Sequence, residues 1–159
     1  MATHSAGLLL YRNRPDEPEV FLVHPGGPFW ARKDAGAWSI PKGEFKPPEE
    51  PLTAAVREMR EETGVTVDGP FVPLGTVRQS GGKTVHAFAA AADVDPARIV
   101  SNHFTLEWPP HSGRTAEFPE VDRAAWFNLG EAKAKIHSAQ AAFLTQLPSA
   151  LGWPGHPAP

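Results

Sequence analysis

Gly43-Glu44-Phe45-Lys46-Pro47-Pro48-Glu49-Glu50-Pro51-Leu52-Thr53-Ala54-Ala55-Val56-Arg57-Glu58-Met59-Arg60-Glu61-Glu62-Thr63-Gly64-Val65 is the stretch from which fold and chemistry follow. Six of its 23 residues are glutamate. Leu52, Ala55, Val56 and Met59 recur every three or four residues, the period of an amphipathic helix, and predict one over Pro51 to Thr63. Pro51 suits the first turn, where its missing N–H is not needed. Gly64 suits the position just past the end. Glu50 is a poor N-cap, although its charge complements the helix dipole. At about 100° per residue, Glu58, Glu61 and Glu62 fall on a flank separate from the apolar stripe, close enough to share one point. Like charges at that spacing destabilise a helix by about 0.2–0.5 kcal/mol per pair. Arg57 and Arg60 are read as lying on other faces. A hard divalent cation relieves the repulsion, takes oxygen ligands and keeps room for phosphate oxygens. The polar segment Pro41 to Glu50 is read as a loop ending near the helix N-terminus, where anions are favoured.

Working outward, Ser5 to Arg12 and Val20 to His24 are compact apolar runs, each closed by turn-forming residues, and predict a pair of strands. Phe29 to Ala37 reads as a loop and Trp38 to Pro41 as a short extended piece. Val65 to Val77 and Thr84 to Val94 read as strands joined through Ser80-Gly81-Gly82-Lys83. Phe104, Leu106 and Trp108 alternate with polar residues, as in a half-exposed strand. Pro109 to Pro119 reads as a loop and Ala124 to Phe127 as a strand. Asn128 and Glu131 have capping-box spacing and open a helix that carries Ala132 and Ile136 inward. A second helical segment runs from Ser138 to Leu147, ended by Pro148. The class is therefore α/β, with helices covering a sheet.

The chain has 159 residues, enough for one domain with a substantial core. Its net charge of −3 argues against a broad nucleic-acid surface but not against small nucleotides. It contains no cysteine, so disulfides, thiolate nucleophiles and Cys-based zinc sites are excluded, which suits a cytoplasmic protein. No apolar run is long enough for a membrane span or signal peptide. The Pro-rich residues 149–159 read as a frayed tail.

From Gly43, the pattern is five residues, Glu49, seven residues, then Arg57-Glu58-Met59-x-Glu61-Glu62-x-Gly64-Val65. It meets every fixed position of the Nudix box, and the chain resembles the Nudix hydrolases over about residues 4–148. The resemblance implies a single α/β/α sandwich with a central mixed sheet. It implies Mg²⁺-dependent hydrolysis of a nucleoside diphosphate linked to another group, with Mn²⁺ as an alternative ion. Glu58, Glu61 and Glu62 are then metal ligands, and Arg57 orients a carboxylate. Glu49 supports the loop, and Gly43 and Gly64 hold backbone positions awkward for other residues. Pro48 stands where relatives often carry Gly, at a free position of the signature. The family often dimerises, so a homodimer is an expectation.

Outside the box, Glu120 is a candidate further carboxylate, with Glu117 and Glu107 as competitors; which glutamate is the base stays open. Trp38-Ser39-Ile40-Pro41-Lys42-Gly43 is similar to the Trp-x-x-Pro-Lys-Gly entrance of dinucleoside polyphosphate hydrolases and mRNA-decapping relatives. Lys42 is a candidate phosphate contact, and Trp30 could stack a base. Lys83 and Arg78 could face the same cleft. His24, His86 and His111 are read as structural or surface groups. The leading expectation is a hydrolase of a dinucleoside polyphosphate or a (d)NTP. The alternatives are a sugar-nucleotide, coenzyme or inositol-pyrophosphate hydrolase, or a non-catalytic nucleotide sensor.

Overall fold

The structure, a computed structural model, describes residues 3–14 and 17–153. Its organising element is strand β1, Thr3–Arg12, whose residues Ser5 to Leu10 are all buried. One edge of β1 pairs in parallel with β5, Lys83–Ala91. The other edge is shared. Its N-terminal half pairs antiparallel with β3, Lys42–Phe45, and its C-terminal end with β2, Glu19–Pro25. β4, Val72–Gln79, lies outside β5, and β8, Val121–Asn128, outside β2. The sheet order is β4-β5-β1-β2-β8, with β3 on β1. One parallel pairing among antiparallel ones makes the sheet mixed. A separate hairpin joins β6, His103–Glu107, to β7, Thr115–Pro119.

Helix α1, Pro51–Thr63, covers one face, and α2, Leu129–Lys135, with α3, Ala141–Leu151, the other. Two cores result. Leu8, Leu10, Phe21 and Met59 fill the α1 side. Leu9, Leu22, Trp38, Phe143 and Leu147 fill the α2–α3 side. The alternation of Leu8, Leu9 and Leu10 between them is the two-residue period of a strand buried on both faces. This is the expected α/β/α sandwich.

The predicted helix over Pro51 to Thr63 has those bounds, and Glu50 indeed makes no side-chain cap. Gly64 closes it in the left-handed conformation at φ 80°. Asn128 and Glu131 form both hydrogen bonds of the capping box. Other expectations need correction. Pro41 to Glu50 is not all loop, because Lys42–Phe45 pair with β1. The stretch Pro109 to Pro119 contains β7. The segment Val65 to Phe71 is irregular, broken by Gly69 at φ 90° and Pro70, so β4 starts at Val72. Arg78 and Lys83 do not share a side: Arg78 lies opposite Thr84 and Gln79 opposite Lys83, so the two point to opposite faces. Pro148 does not end a helix. It sits buried inside α3, which runs on to Leu151 and is capped by Gly152. A proline there forfeits one backbone hydrogen bond, and burial of its ring with Leu144 and Leu147 compensates. Trp153 packs edge-to-face on Tyr11 at 5.8 Å, while residues 154–159 of the expected tail lie outside the described residues.

Met59 is the largest side chain that α1 buries completely. Met59→Ala is expected to lower stability by about 2–5 kcal/mol, the usual range for a core methionine. A urea titration measures it, and a loss under about 1 kcal/mol would mean the α1 core is looser than described.

Candidate active site

The amphipathic period of α1 brings its glutamates to the sheet end where β2 and β3 part from β1. Glu58 lies in the buried stripe beside Met59, only 7% exposed, not on a wholly separate flank. Gly43 makes this possible. A Cβ there would collide with the Glu58 carboxyl, so the carboxylate occupies the space the glycine leaves.

Arg57 is also placed differently from the expectation. Its Nε and Nη2 donate to the two oxygens of Glu49 at 2.8 and 2.9 Å. Its Nη1 donates to Glu58 at 2.8 Å and to Glu61 at 3.2 Å. The Glu49 hydrogen bonds, with those to Glu61 and Glu58, hold the guanidinium still more firmly protonated and keep the Glu49 carboxyl below its ordinary range. Arg57 thus reaches both the loop and the carboxylate flank, because a planar fork with five donors spans positions that a helical-wheel projection separates.

Glu62 accepts a hydrogen bond from the Lys42 backbone N–H at 3.2 Å. Burial, then the negative charges of Glu120 and Glu58, push its carboxyl from the ordinary 4.5 to about 8. Burial and Glu61 likewise raise Glu58, and burial and Glu61 raise Glu120. Glu120 stands at the junction of β7 and β8. A backbone clip holds it: Asn102 N–H donates to the Glu61 carbonyl, and the Asn102 carbonyl accepts from the Glu120 N–H, both at 2.9 Å. The helix end and the β7–β8 corner are therefore fixed to each other. Of the competitors, Glu107 accepts from His111 N–H and Gly113 N–H in the hairpin turn, and Glu117 is exposed on β7.

Two clefts meet at Glu62 and Glu120. The first, about 160 Å³, is lined also by Pro25, Ser39, Ile40 and Lys42. Burial, then repulsion from Lys83, lowers the Lys42 ammonium pKa. Lys83 itself lines neither cleft. The second cleft, about 370 Å³, has walls of Gly26, Gly27, Phe29, Trp30, Phe104 and Leu106. Phe29 and Trp30 remain 58% and 37% exposed, with Phe29 propped edge-to-face by Trp108 at 5.5 Å. Lys33 Nζ lies 4.9 Å from the Trp30 ring centre. Sequence reading missed Phe104 and Leu106 as cleft residues. Their alternation placed them on one face of a strand, but which element that face opposes is tertiary information.

Among the described residues, no three His, Cys, Asp or Glu side chains are already closed around one point. Glu58 and Glu61 turn to Arg57 instead. The donor set nevertheless suits a hard divalent cation: all oxygen, mutually repelling, with three of its four acids driven toward the neutral form by one another and by burial.

Glu62 gives a pH prediction for protein in chelator-treated buffer. Its folded pKa of about 8 exceeds the unfolded 4.5. The folded state therefore binds the extra proton, and the stability this contributes is full below 4.5 and lost as pH rises through 8. Glu62→Gln removes that dependence. The melting temperature of the wild type should fall more steeply than that of Glu62→Gln across this window, and excess Mg²⁺ should flatten the difference. Parallel profiles would refute the assignment.

A family model described as the NUDIX domain matches residues 1–147. An RNA pyrophosphohydrolase of Brucella anthropi is 34% identical over 104 residues, 56% of this chain and 55% of that protein. An octanoyltransferase of Myxococcus xanthus is 29% identical over 106 residues, 67% of this chain and 26% of that protein. The chain thus spans about half or less of the curated relatives it matches. Among solved structures, a C. elegans Ap4A hydrolase in a binary complex superposes with a TM-score of 0.65 at 21% identity, covering 95% of this chain and 98% of the other. That likeness is one of fold. With the domain match covering nearly the whole chain, the protein belongs to the NUDIX domain family.

Proposed function

We propose that the protein is a divalent-metal-dependent pyrophosphohydrolase of nucleoside polyphosphates. The observation that carries this is the meeting of four carboxylates, Glu58, Glu61, Glu62 and Glu120, where a polar cleft bearing Lys42 joins an aromatic one bearing Trp30. Glu58, Glu61 and Glu62 would hold the ion, preferentially Mg²⁺. When bound, it supplies charge neutralisation for the diphosphate and a more acidic water. Arg57 keeps Glu58 and Glu61 in place through charge-assisted hydrogen bonds. The Lys42 ammonium faces the phosphate chain. Trp30 and Phe104 offer apolar faces to a base, a stack that Lys33 strengthens. The side chain of Glu120 has no hydrogen bond among the described residues and a raised pKa, so we assign it as the group that takes the proton of the attacking water.

The names of an RNA pyrophosphohydrolase and an Ap4A hydrolase among the similar proteins support a phosphoanhydride in a nucleotide as the bond cleaved. Two clefts meeting at the carboxylates favour a substrate with groups on both sides of the scissile bond. A dinucleoside polyphosphate fits this better than a (d)NTP.

Two experiments test the reading. In a screen of diphosphate compounds with Mg²⁺ or Mn²⁺ and products identified by mass, diadenosine polyphosphates should be cleaved in preference to dNTPs; the reverse order would exclude the two-cleft argument. With the best substrate, Glu61→Gln and Glu62→Gln should abolish measurable turnover, and Glu120→Gln should lower kcat by about 10²–10⁴-fold with KM within a few-fold. Wild-type turnover in the first two variants would remove the metal assignment. A kcat loss below about fivefold in Glu120→Gln would remove its role as base.

A further inference from the structure

Between Val23 and Pro25, which line the first cleft, lies a histidine that the hydrolysis does not use. His24 is fully buried, and its ring lies edge-to-face against Trp38 at 5.2 Å. Its Nδ1 is 2.9 Å from Asp122 Oδ1, and its Nε2 is 2.6 Å from the Lys33 carbonyl oxygen. Both neighbours are acceptors: a peptide carbonyl has no proton to give, and Asp122 also faces Arg123 Nη1 at 3.5 Å. The carbonyl oxygen can only accept, so Nε2 donates to it, and the ring bridges the loop to Asp122 in a site closed to solvent.

The three groups come from three parts of the site. Asp122 lies two residues beyond Glu120. Two residues after His24 on the chain, Gly26 N–H donates to the Glu120 carbonyl at 2.9 Å. Lys33 closes the turn that presents Trp30, its N–H donating to the Trp30 carbonyl at 2.9 Å. The far end of this loop is held independently, because Asp34 accepts from Trp38 Nε1 at 2.8 Å and from Lys135 Nζ. Among the described residues, the near end, Phe29 to Lys33, is tied to the rest of the fold by the hydrogen bond from His24 and by the ring contact of Phe29 with Trp108.

We propose that His24, lodged between Asp122 and the Lys33 carbonyl, is a positioning residue that sets the Trp30 wall against the corner bearing Glu120. It thereby fixes where a nucleotide's base sits relative to the scissile phosphate. The inference rests on the aromatic cleft being the base-binding wall, and it assigns to a non-contacting residue the control of substrate placement.

The first test is a nitrogen-15 spectrum of the histidine rings of the intact protein near neutral pH. Nε2 of His24 should carry a proton, and an unprotonated Nε2 overturns the proposal. The second uses Asp122→Asn, which removes the carboxylate facing Nδ1 at a partly exposed residue and so spares folding. Relaxation of the Trp30 indole N–H should show increased mobility. KM for the best nucleotide substrate should rise about five- to tenfold with kcat changed less than about twofold. Adding Asp122→Asn to Trp30→Ala should raise KM no further, because both act through one wall. Fully additive KM effects, or an unchanged indole and KM, overturn it. If the wild type cleaves no nucleoside polyphosphate, the functional reading fails by itself; the ring spectrum and the indole relaxation then decide the positioning of the loop on their own.

Discussion

One guanidinium makes the carboxylate helix tenable. Arg57 grips both oxygens of Glu49 and, with its remaining nitrogen, Glu58 and Glu61. The two-pronged contact pins the loop after β3 to the helix that follows, a junction with no side-chain N-cap. The single-nitrogen contact draws Glu58 and Glu61 together although they repel. A lysine could not do both, since a point charge cannot present two donors to one carboxylate while reaching two others. The arrangement remains short of positive charge. One arginine faces three glutamates directly, with Glu62 and Glu120 close behind. Burial, and after it this surplus of negative charge, raises the acid pKa values, most of all at Glu62, and it is the reason a divalent ion is proposed there.

The sheet supplies the other half of the site. Because β1 pairs with β3 along one half and with β2 at its far end, the two partners diverge, and the gap between them opens over the end of α1 that carries Glu62. Trp38 to Pro41 crosses that gap, with Ser39 bridged to Val23, and delivers Lys42. Across the opening, Asn102 ties the last turn of α1 to Glu120 through backbone bonds alone, so the position of Glu120 does not depend on its own side chain. The carboxylates thus come from rigid elements and from a corner clipped to one of them.

Much of this was legible from periodicity. The helix at Pro51–Thr63, the capping box at Asn128 and the first two strands follow from local patterns that the structure keeps. β3 was not, because Lys42-Gly43-Glu44-Phe45 has no apolar alternation. It becomes a strand only because β1 offers an unpaired edge and Gly43 lets Glu58 in beneath it. β7 was hidden for a similar reason, being half-exposed and defined by its register with β6. The helical wheel located Glu58, Glu61 and Glu62 but not the burial of Glu58, which requires the glycine opposite. Glu120 was only one of three candidates on spacing; proximity to Glu62 separates it from Glu107 and Glu117. Arg78 misled because a strand alternates its faces, and residue type alone does not say which face.

The parts that were hardest to read share a property. Phe104, Leu106, Phe29 and Trp30 lie on a detached hairpin and on a loop, not on the main sheet. For the proposed reaction the carboxylates would need close placement, and a packed helix provides it. The proposed base-binding wall would need only an apolar face at the right distance, and two aromatic loops leaning on each other, as Phe29 does on Trp108, provide that with little local pattern. Such a wall can be recut without disturbing the helix, provided something keeps it registered with the chemistry. A buried ring bonded to both the loop and the neighbourhood of Glu120 is one economical way to do so, because a side chain fixed by two acceptors at its two ends can transmit position even though it touches no substrate.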